Sequence, residues 1–347
     1  MHRISALVPV LVVVTAACGF HAPGGSGGGG GDDDGGGGGG ADARPGTDSG
    51  VSPGAWWNPA WSSRMRIAIN TSVALPAGFQ LGVPRDLDVA PCDGPRDAVR
   101  VVRNHTAELP RVIDELGSGV SDEWIWFRLP ASVAAGTGPS EYWLYCGNAS
   151  PGAPPSSTDV FDLYDGFDGN SLSGLWNAQG TQVTVMGGAV TLGGTGNTIH
   201  SKTSYGAGTA TDFVLQAAGS AVSSPWFWGG FEVQFSVTAP WVIWHARNAN
   251  QVRQEILRSG SNASFANERA LDTGAHLYGV EHYGTSAGFR YNNAPVGTIS
   301  YGGNIGLMNV RLHNYQSGGT IQILMARVRR AVYPVPTATL EAVETQP

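Results

Sequence analysis

Two short stretches hold rings and polar groups at a spacing that could grip a ligand. Ser224-Pro-Trp-Phe-Trp-Gly229 and Trp241-Val-Ile-Trp-His-Ala-Arg247 crowd large aromatic residues together in a 347-residue chain. Sugars present C–H faces that pack on such rings, while flanking polar groups bond the hydroxyls. Trp226, Trp228, Trp241, Trp244, His245, Arg247 and Glu255 form the candidate ligand-binding set. The competing explanation is packing, because all-β interiors are filled with such side chains. In a regular strand only one of Trp241 and Trp244 can point outward.

Catalysis makes a stricter demand. Glycoside hydrolysis uses two carboxylates about 5–10 Å apart, and Glu-x-Asp on one strand puts both acids on one face. No Glu in this chain has Asp two positions later. Glu232 is followed by Gln234, while Glu255 and Glu281 stand on other stretches. His200, His245, His276, His282 and His313 are scattered, and there is no His-Glu-x-x-His or phosphate loop. No catalytic set and no cofactor motif emerges.

Metal chemistry has one candidate, the ladder Asp162, Asp165 and Asp168. EF-hand spacing and its closing Glu are absent, and Asp-Gly pairs there make turns between strand fragments. Asp32, Asp33 and Asp34 interrupt an almost pure Gly run, which does not preorganise ligands. The formal net charge of −7 and the absence of a basic patch exclude nucleic acid as a partner.

Positioning these residues falls to strands. Before them, Met1-His2-Arg3 and the apolar Ala6–Ala17 make a secretory signal too short to span a membrane. Residues 18–54 are a Gly/Asp-rich coil that acts as a tether. Half-buried strand patterns follow at Met65–Asn70, Phe79–Val83, Leu87–Ala90, Ala98–Arg103, Trp124–Leu129 and Glu141–Cys146. Val112–Leu116 is the one stretch that reads as a helical turn. A Pro/Ser-rich break at 151–158 separates this small antiparallel β body (55–150) from a second one (159–345). There, Phe231, Val233, Phe235 and Val237 alternate with Glu232, Gln234 and Ser236, and further strands run through Trp241–His245, Val252–Arg258, His276–His282, Ala287–Tyr291, Ile305–His313 and Thr320–Val332. The chain is therefore all-β, a small antiparallel domain followed by a two-sheet sandwich. In an oxidising compartment Cys92 and Cys146 read as a disulfide, with two separate buried thiols as the alternative.

Three segments resemble known families. Thr15-Ala-Ala-Cys18 resembles a bacterial lipobox, with Thr15 where Leu is usual; the resemblance implies lipid on Cys18, membrane attachment through it, and outer-membrane sorting from Gly19. The alternative is an ordinary signal cleaved near Ala17, giving a secreted or periplasmic chain. Trp57, Trp61 and Arg64, then Asp97 with Arg100, Trp124 to Pro130, and Tyr145-Cys146-Gly147-Asn148 resemble a bacterial and archaeal surface-protein domain of unknown function, whose closing motif more often has Tyr where Cys146 stands. Phe167-Asp-Gly-Asn-Ser-Leu-Ser-Gly-Leu-Trp176, Gly229-Gly-Phe-Glu-Val233 and the pair His276–His282 and Gly288–Asn293 resemble the concanavalin A-like lectin/glucanase jelly roll. That fold hosts lectins, hydrolases, lyases and structural modules alike. The expectation is a non-catalytic surface binder of glycan or another envelope polymer; the rivals are a divergent polysaccharide hydrolase or lyase, and a structural envelope component.

Overall fold

The computed structural model describes residues 55–85, 92, 98–114, 123–218, 227–233, 240–248, 251–258, 261–270, 273–301, 305–315 and 319–346, without the side chains of 247–270. The signal, Cys18 and the tether lie outside the described residues, as do Leu87–Ala90, Asp97 and Trp226.

The first body is built from β1 (Ser63–Thr71), β2 (Gln80–Arg85), β3 (Arg100–Arg103), β4 (Ala107–Leu109), β5 (Arg111–Asp114), β6 (Glu123–Arg128) and β7 (Gly136–Cys146). In β1, Met65, Ile67 and Ile69 point into a core shared with Leu81, Val101, Ile125, Phe127 and Leu144. Strands β2, β6 and β5 form a three-stranded sheet on the other side of that core. The helical turn expected at Val112–Leu116 is corrected here. Arg111–Asp114 is a strand because its alternate residues serve two cores, Ile113 the first-body core and Val112 the cluster with Trp126 and Phe161. Cys92 and Cys146 form a disulfide with Cα atoms 5.3 Å apart. Its separation of 54 residues is worth about 4 kcal/mol by the chain-entropy model.

The second body contains β8 (Leu163–Asp165), β9 (Trp176–Gln179), β10 (Val183–Val185), β11 (Val190–Gly193), β12 (Asn197–Tyr205), β13 (Thr209–Ala218), β14 (Phe227–Glu232) and β15 (Trp241–Asn248). It continues with β16 (Gln251–Arg258), β17 (Ser261–Ala270), β18 (Ala275–His282), β19 (Ser286–Tyr291), β20 (Ala294–Ser300), β21 (Met308–Asn314) and β22 (Thr320–Arg330). These strands make two antiparallel sheets, ordered β10-β11-β22-β13-β18-β19-β20 (with β8 on β22) and β17-β16-β15-β14-β21-β12-β9. Between them lies one core containing Phe213, Phe231, Val242, Trp244, Tyr278, Phe289, Val310, Leu312 and Ile323. Gly229 permits this packing: a Cβ there would stand 2.4 Å from the Phe213 ring. The architecture is the two-sheet sandwich that the alternation implied.

The last strand departs from the expected boundary. β23 (Thr337–Thr345), assigned above to the second body, pairs antiparallel with β1 and completes the first body's sheet in the order β23-β1-β7-β3-β4. Ala338 enters the first-body core, and Leu340 and Val343 pack against it. The sandwich is thus held between two strands of the same neighbouring sheet.

A polar network holds the bodies together. Asp114 of β5 pairs with Arg327 of β22 and also accepts from Trp126 Nε1 at 2.7 Å. Arg327 pairs with Asp212 at 2.9 Å, Asp212 with Arg329 at 2.9 Å, and Arg329 with Glu281 at 2.8 Å, which also takes Arg290 at 2.9 Å. Burial alone would raise Asp212, but Arg329 and Arg327 outweigh it and hold the carboxyl well below its usual range. Within the first body, residues that resemble the surface-domain signature form a second polar arrangement. Arg64 lies over Trp56 (4.5 Å) and Trp143 (4.4 Å) and pairs with Glu344 of β23 at 2.7 Å. Arg100 lies 5.2 Å over Trp61 and donates to the carbonyls of Pro151 and Gly152, the Tyr145 hydroxyl accepts from Trp57 N at 3.1 Å, and Asn148 Oδ1 accepts from Ser150 N at 2.9 Å. These motif residues tie down both ends of the first body.

Candidate functional site

The core side of the seven-stranded sheet is apolar, so its chemistry sits on the other face. Strand register builds that face row by row. His313 of β21, Trp228 of β14 and His245 of β15 lie side by side, with Thr198 of β12 and Gln179 of β9 continuing the row. The next row is Arg311, Gly230 and Ile243, and the one after it Asn309, Glu232 and Trp241. On β21 the pattern is plain: Asn309, Arg311 and His313 alternate with Met308, Val310 and Leu312, which enter the core.

Trp228 is the centre of this face. Its ring stacks with Trp241 (6.3 Å between centroids, 16°) and with Tyr315 (5.3 Å, 26°). His313 and His245 meet it edge-on at 4.5 and 5.7 Å. Its indole N–H donates to Glu232 Oε2 at 3.0 Å, and Glu232 Oε1 accepts from Arg311 at 2.5 Å. Arg311 in turn donates to Thr198 Oγ1 at 3.2 Å. With both ring faces covered and only 7% exposed, Trp228 buttresses the stack. The half-buried rings at its two ends, Trp241 and Tyr315, are the ones that can meet a ligand.

Electrostatics here is governed by burial. Desolvation pushes Glu232 up to about 7, against the pull of Arg311 and the Trp228 hydrogen bond. The same desolvation, helped by Arg311, lowers His313 to about 3, and His200 is lowered for the same two reasons. At neutral pH these imidazoles are uncharged. The buried Nδ1 of His313 and Nε1 of Trp241 have no hydrogen-bond partner within the protein. The face therefore offers rings and neutral imidazole edges around one internal ion pair, a surface suited to hydroxyl-bearing rings rather than to an ion.

The sequence-derived set divides accordingly. Trp228, Trp241 and His245 share the face. Trp244 does not: it is wholly buried in the sandwich core and donates its N–H to the Gly279 carbonyl at 2.9 Å. The correction follows from alternation, since Trp241 and Trp244 are three residues apart on one strand. Trp226 and the side chains of Arg247 and Glu255 lie outside the described residues; by backbone register Glu255 pairs with Ile243, next to the face. Asn309, Arg311, His313 and Tyr315 were missed, although the polar alternation of β21 signals the first three. Glu232 faces away from the core as its alternation implied, yet it is 1% exposed, because Arg311 and Trp228 close over it.

Other candidates have structural roles. Asp165 accepts from Phe167 N, Ser173 Oγ and Trp176 Nε1, which shapes the loop before β9. Asp162 pairs with Arg128 at 2.8 Å, and Asp168 stands apart at a cavity between the bodies. Gly284-Thr-Ser-Ala-Gly288 fits the Gly-x-Ser-x-Gly pattern of a nucleophile elbow, against the expectation that the chain has no such elbow. It forms the hairpin between β18 and β19 rather than a strand-to-helix turn, so it presents no such nucleophile.

Comparison with known proteins adds the following. Residues 96–179 match the model of a domain of unknown function, DUF2341. No characterised protein sequence matches the chain. Among solved structures it is similar to a β-1,3-glucanase from Mycobacterium marinum, with 14% identity over 48% of this chain and 98% of that one and a TM-score of 0.37. A glycosyl hydrolase family 16 protein from Mycobacterium smegmatis gives 13% over 48% and 99%, with a TM-score of 0.39. An immunostimulatory antigen and pseudo β-1,3-glucanase of Mycobacterium tuberculosis gives 12% over 50% and 99%, with a TM-score of 0.38.

Proposed function

We propose that the chain is a non-catalytic glycan-binding protein displayed at the cell surface, and that the polar face of the seven-stranded sheet is its contact surface. The observation that carries this is the ring series Trp241–Trp228–Tyr315 laid across that face beside the imidazoles of His245 and His313. The outer rings supply flat apolar area for sugar C–H faces, and His245, His313 and Asn309 supply hydrogen-bonding edges. Hydrolysis would need two accessible carboxylates. Among the described residues of this face the one carboxylate, Glu232, is buried and engaged by Trp228 and Arg311.

The test is a glycan-array screen of the purified protein, followed by product analysis on every hit. Binding in the micromolar to millimolar range, about −8 to −4 kcal/mol, is expected, with no released product. Trp241→Ala should weaken it at least about tenfold while leaving the melting midpoint in place. Product release abolished by Glu255→Gln or Glu232→Gln would overturn the non-enzyme reading in favour of the hydrolase or lyase. Failure to bind any glycan would leave the structural envelope role.

Display rests on the N-terminal segment. The signal through Ala17, lipid on Cys18 and the tether to residue 54 would hold the folded part clear of the membrane. Stable attachment needs more than one acyl chain, which a bacterial lipoprotein carries. Cys18→Ala should therefore move the protein from the membrane to the soluble fraction or block its maturation; unchanged fractionation would contradict the anchor.

A further inference from the structure

We propose that a cavity between the two bodies is a second ligand site, built for a small ring that carries a carboxylate. The cavity has a volume of about 440 Å³, within the range of about 300–1,000 Å³ usual for small-molecule sites. Trp124 and Trp126 of β6 line it together with Arg290, Asn293, Arg329 and Thr337. It shares no lining residue with the ring face of the seven-stranded sheet, so the inference is independent of the proposed function.

The wall is held flat by its neighbour. Trp124 and Trp126 stack at 5.9 Å and 24°, and both lie against Gly82 of β2, where a Cβ would come within 2.8–2.9 Å of the two indoles. Gly82 thus lets two rings rest directly on backbone.

The polar side has donors in excess. Arg290 gives Nε to Glu281 and Nη1 to the Asn293 carbonyl, which leaves Nη2 without a protein acceptor. Arg329 gives Nε to Asp212 and Nη2 to Glu281, which leaves Nη1, and the residue is 96% buried by its 4% exposure. Asn293 Nδ2 is buried and also lacks a partner. The neighbouring carboxylates do not answer them: Glu281 Oε1 is shared by Arg290 and Arg329 and Oε2 takes the Tyr283 hydroxyl, while Asp212 Oδ2 is shared by Arg327 and Arg329 and its Oδ1 accepts from none of these donors. The Asn292-Asn293 turn that carries the amide has both residues at positive φ (48° and 64°), a two-residue hairpin loop of fixed geometry.

Trp126 is covered by Arg327 and Arg329 (4.4 and 5.5 Å), so the half-buried Trp124 is the open ring of this lining. With three unmatched N–H donors in the same lining, the cavity selects a ligand with acceptor oxygens at one end and a flat apolar face. A carboxylate accepts from guanidinium forks in charge-assisted bonds, and the attached ring packs on Trp124. A hexuronate sugar and an aromatic acid share this chemistry.

The experiment titrates the whole protein with D-glucuronate and with benzoate, using D-glucose and benzyl alcohol as neutral counterparts, and follows indole fluorescence and heat. Saturable binding of at least one acid, at least about tenfold tighter than its neutral counterpart, is expected; whichever acid binds identifies the source. Asn293→Asp places a carboxylate beside the two guanidiniums, in a residue type that tolerates positive φ. It should weaken acid binding at least about tenfold with the melting midpoint unchanged or raised. Arg290→Gln should weaken it as well, and Trp241→Ala should leave it unchanged. The proposal is overturned by the absence of saturable binding of both acids at millimolar concentrations, by equal binding of the neutral counterparts, or by full affinity in a folded Asn293→Asp protein.

Discussion

Replacing Arg327 by Met should cost about 3–5 kcal/mol of folding stability, the usual consequence of leaving buried charge without its partner. Arg327 is wholly buried and joins Asp114 of the first body to Asp212 of the second. Its guanidinium also lies over Trp126 at 4.4 Å and Phe161 at 4.9 Å. Met fills much of the stem volume but leaves Asp114 with only the Trp126 N–H, and Asp212 with only Arg329. Chemical denaturation of Arg327→Met, Asp114→Asn and the double variant gives the coupling directly. The double variant should be less destabilised than the sum of the singles, and a single-variant cost below about 1 kcal/mol would contradict a network that ties the bodies together. Acid adds an independent check. Asp212 and Glu281 are both held low: burial pushes each up, but the arginines outweigh it. Their contribution is therefore present above the ordinary carboxylate range near 4 and is lost as pH falls through the depressed folded-state values. Asp114, raised by burial, works in the opposite sense. In an Asp114→Asn background stability should therefore fall on acidification below about pH 4.

This network also shows which parts of the molecule were legible in the chain. Strand identity was, because period-two alternation is a local property: β15, β18, β19 and β22 lie where the pattern puts them. The partner of a strand was not. β23 alternates weakly and is largely exposed, and its partner β1 lies more than 260 residues away, so nothing local marks it as the edge of the first body's sheet. Val112 and Ile113 read as helical because both are apolar, when each in fact serves a different core. The binding face was half legible. Outward Trp228 and Trp241 follow from alternation, but the cover over Trp228 comes from Tyr315, which follows a strand 80 residues further on. The burial of Glu232 requires β21 beside β14, which only sheet order reveals. Likewise the donor-rich cavity joins β6, the β19–β20 turn and β22 across two bodies, and no spacing in the sequence brings them together.

Trp244→Ala and Trp241→Ala should therefore diverge, although the residues stand three apart on one strand. Trp244 has no exposed surface and packs edge-on against Tyr278 (5.4 Å) and Phe289 (5.7 Å). Truncation there opens a cavity in a core that cannot collapse around it, at about 3–5 kcal/mol. It also strips the Gly279 carbonyl of the indole N–H that it accepts, and a buried acceptor left unsatisfied adds to the cost. Trp241 stands at the end of the ring series and is half-buried, so its truncation removes a contact face and leaves the core intact. Its cost should stay below about 1.5 kcal/mol, the scale of one aromatic pair. Denaturation and glycan binding measured on the same two proteins separate the roles: Trp244→Ala loses stability first, and any folded fraction keeps its affinity, whereas Trp241→Ala keeps its midpoint and loses affinity. A Trp241→Ala protein that melts as early as Trp244→Ala would place Trp241 in the packing of the sandwich. The contact surface would then have to lie elsewhere on the sheet.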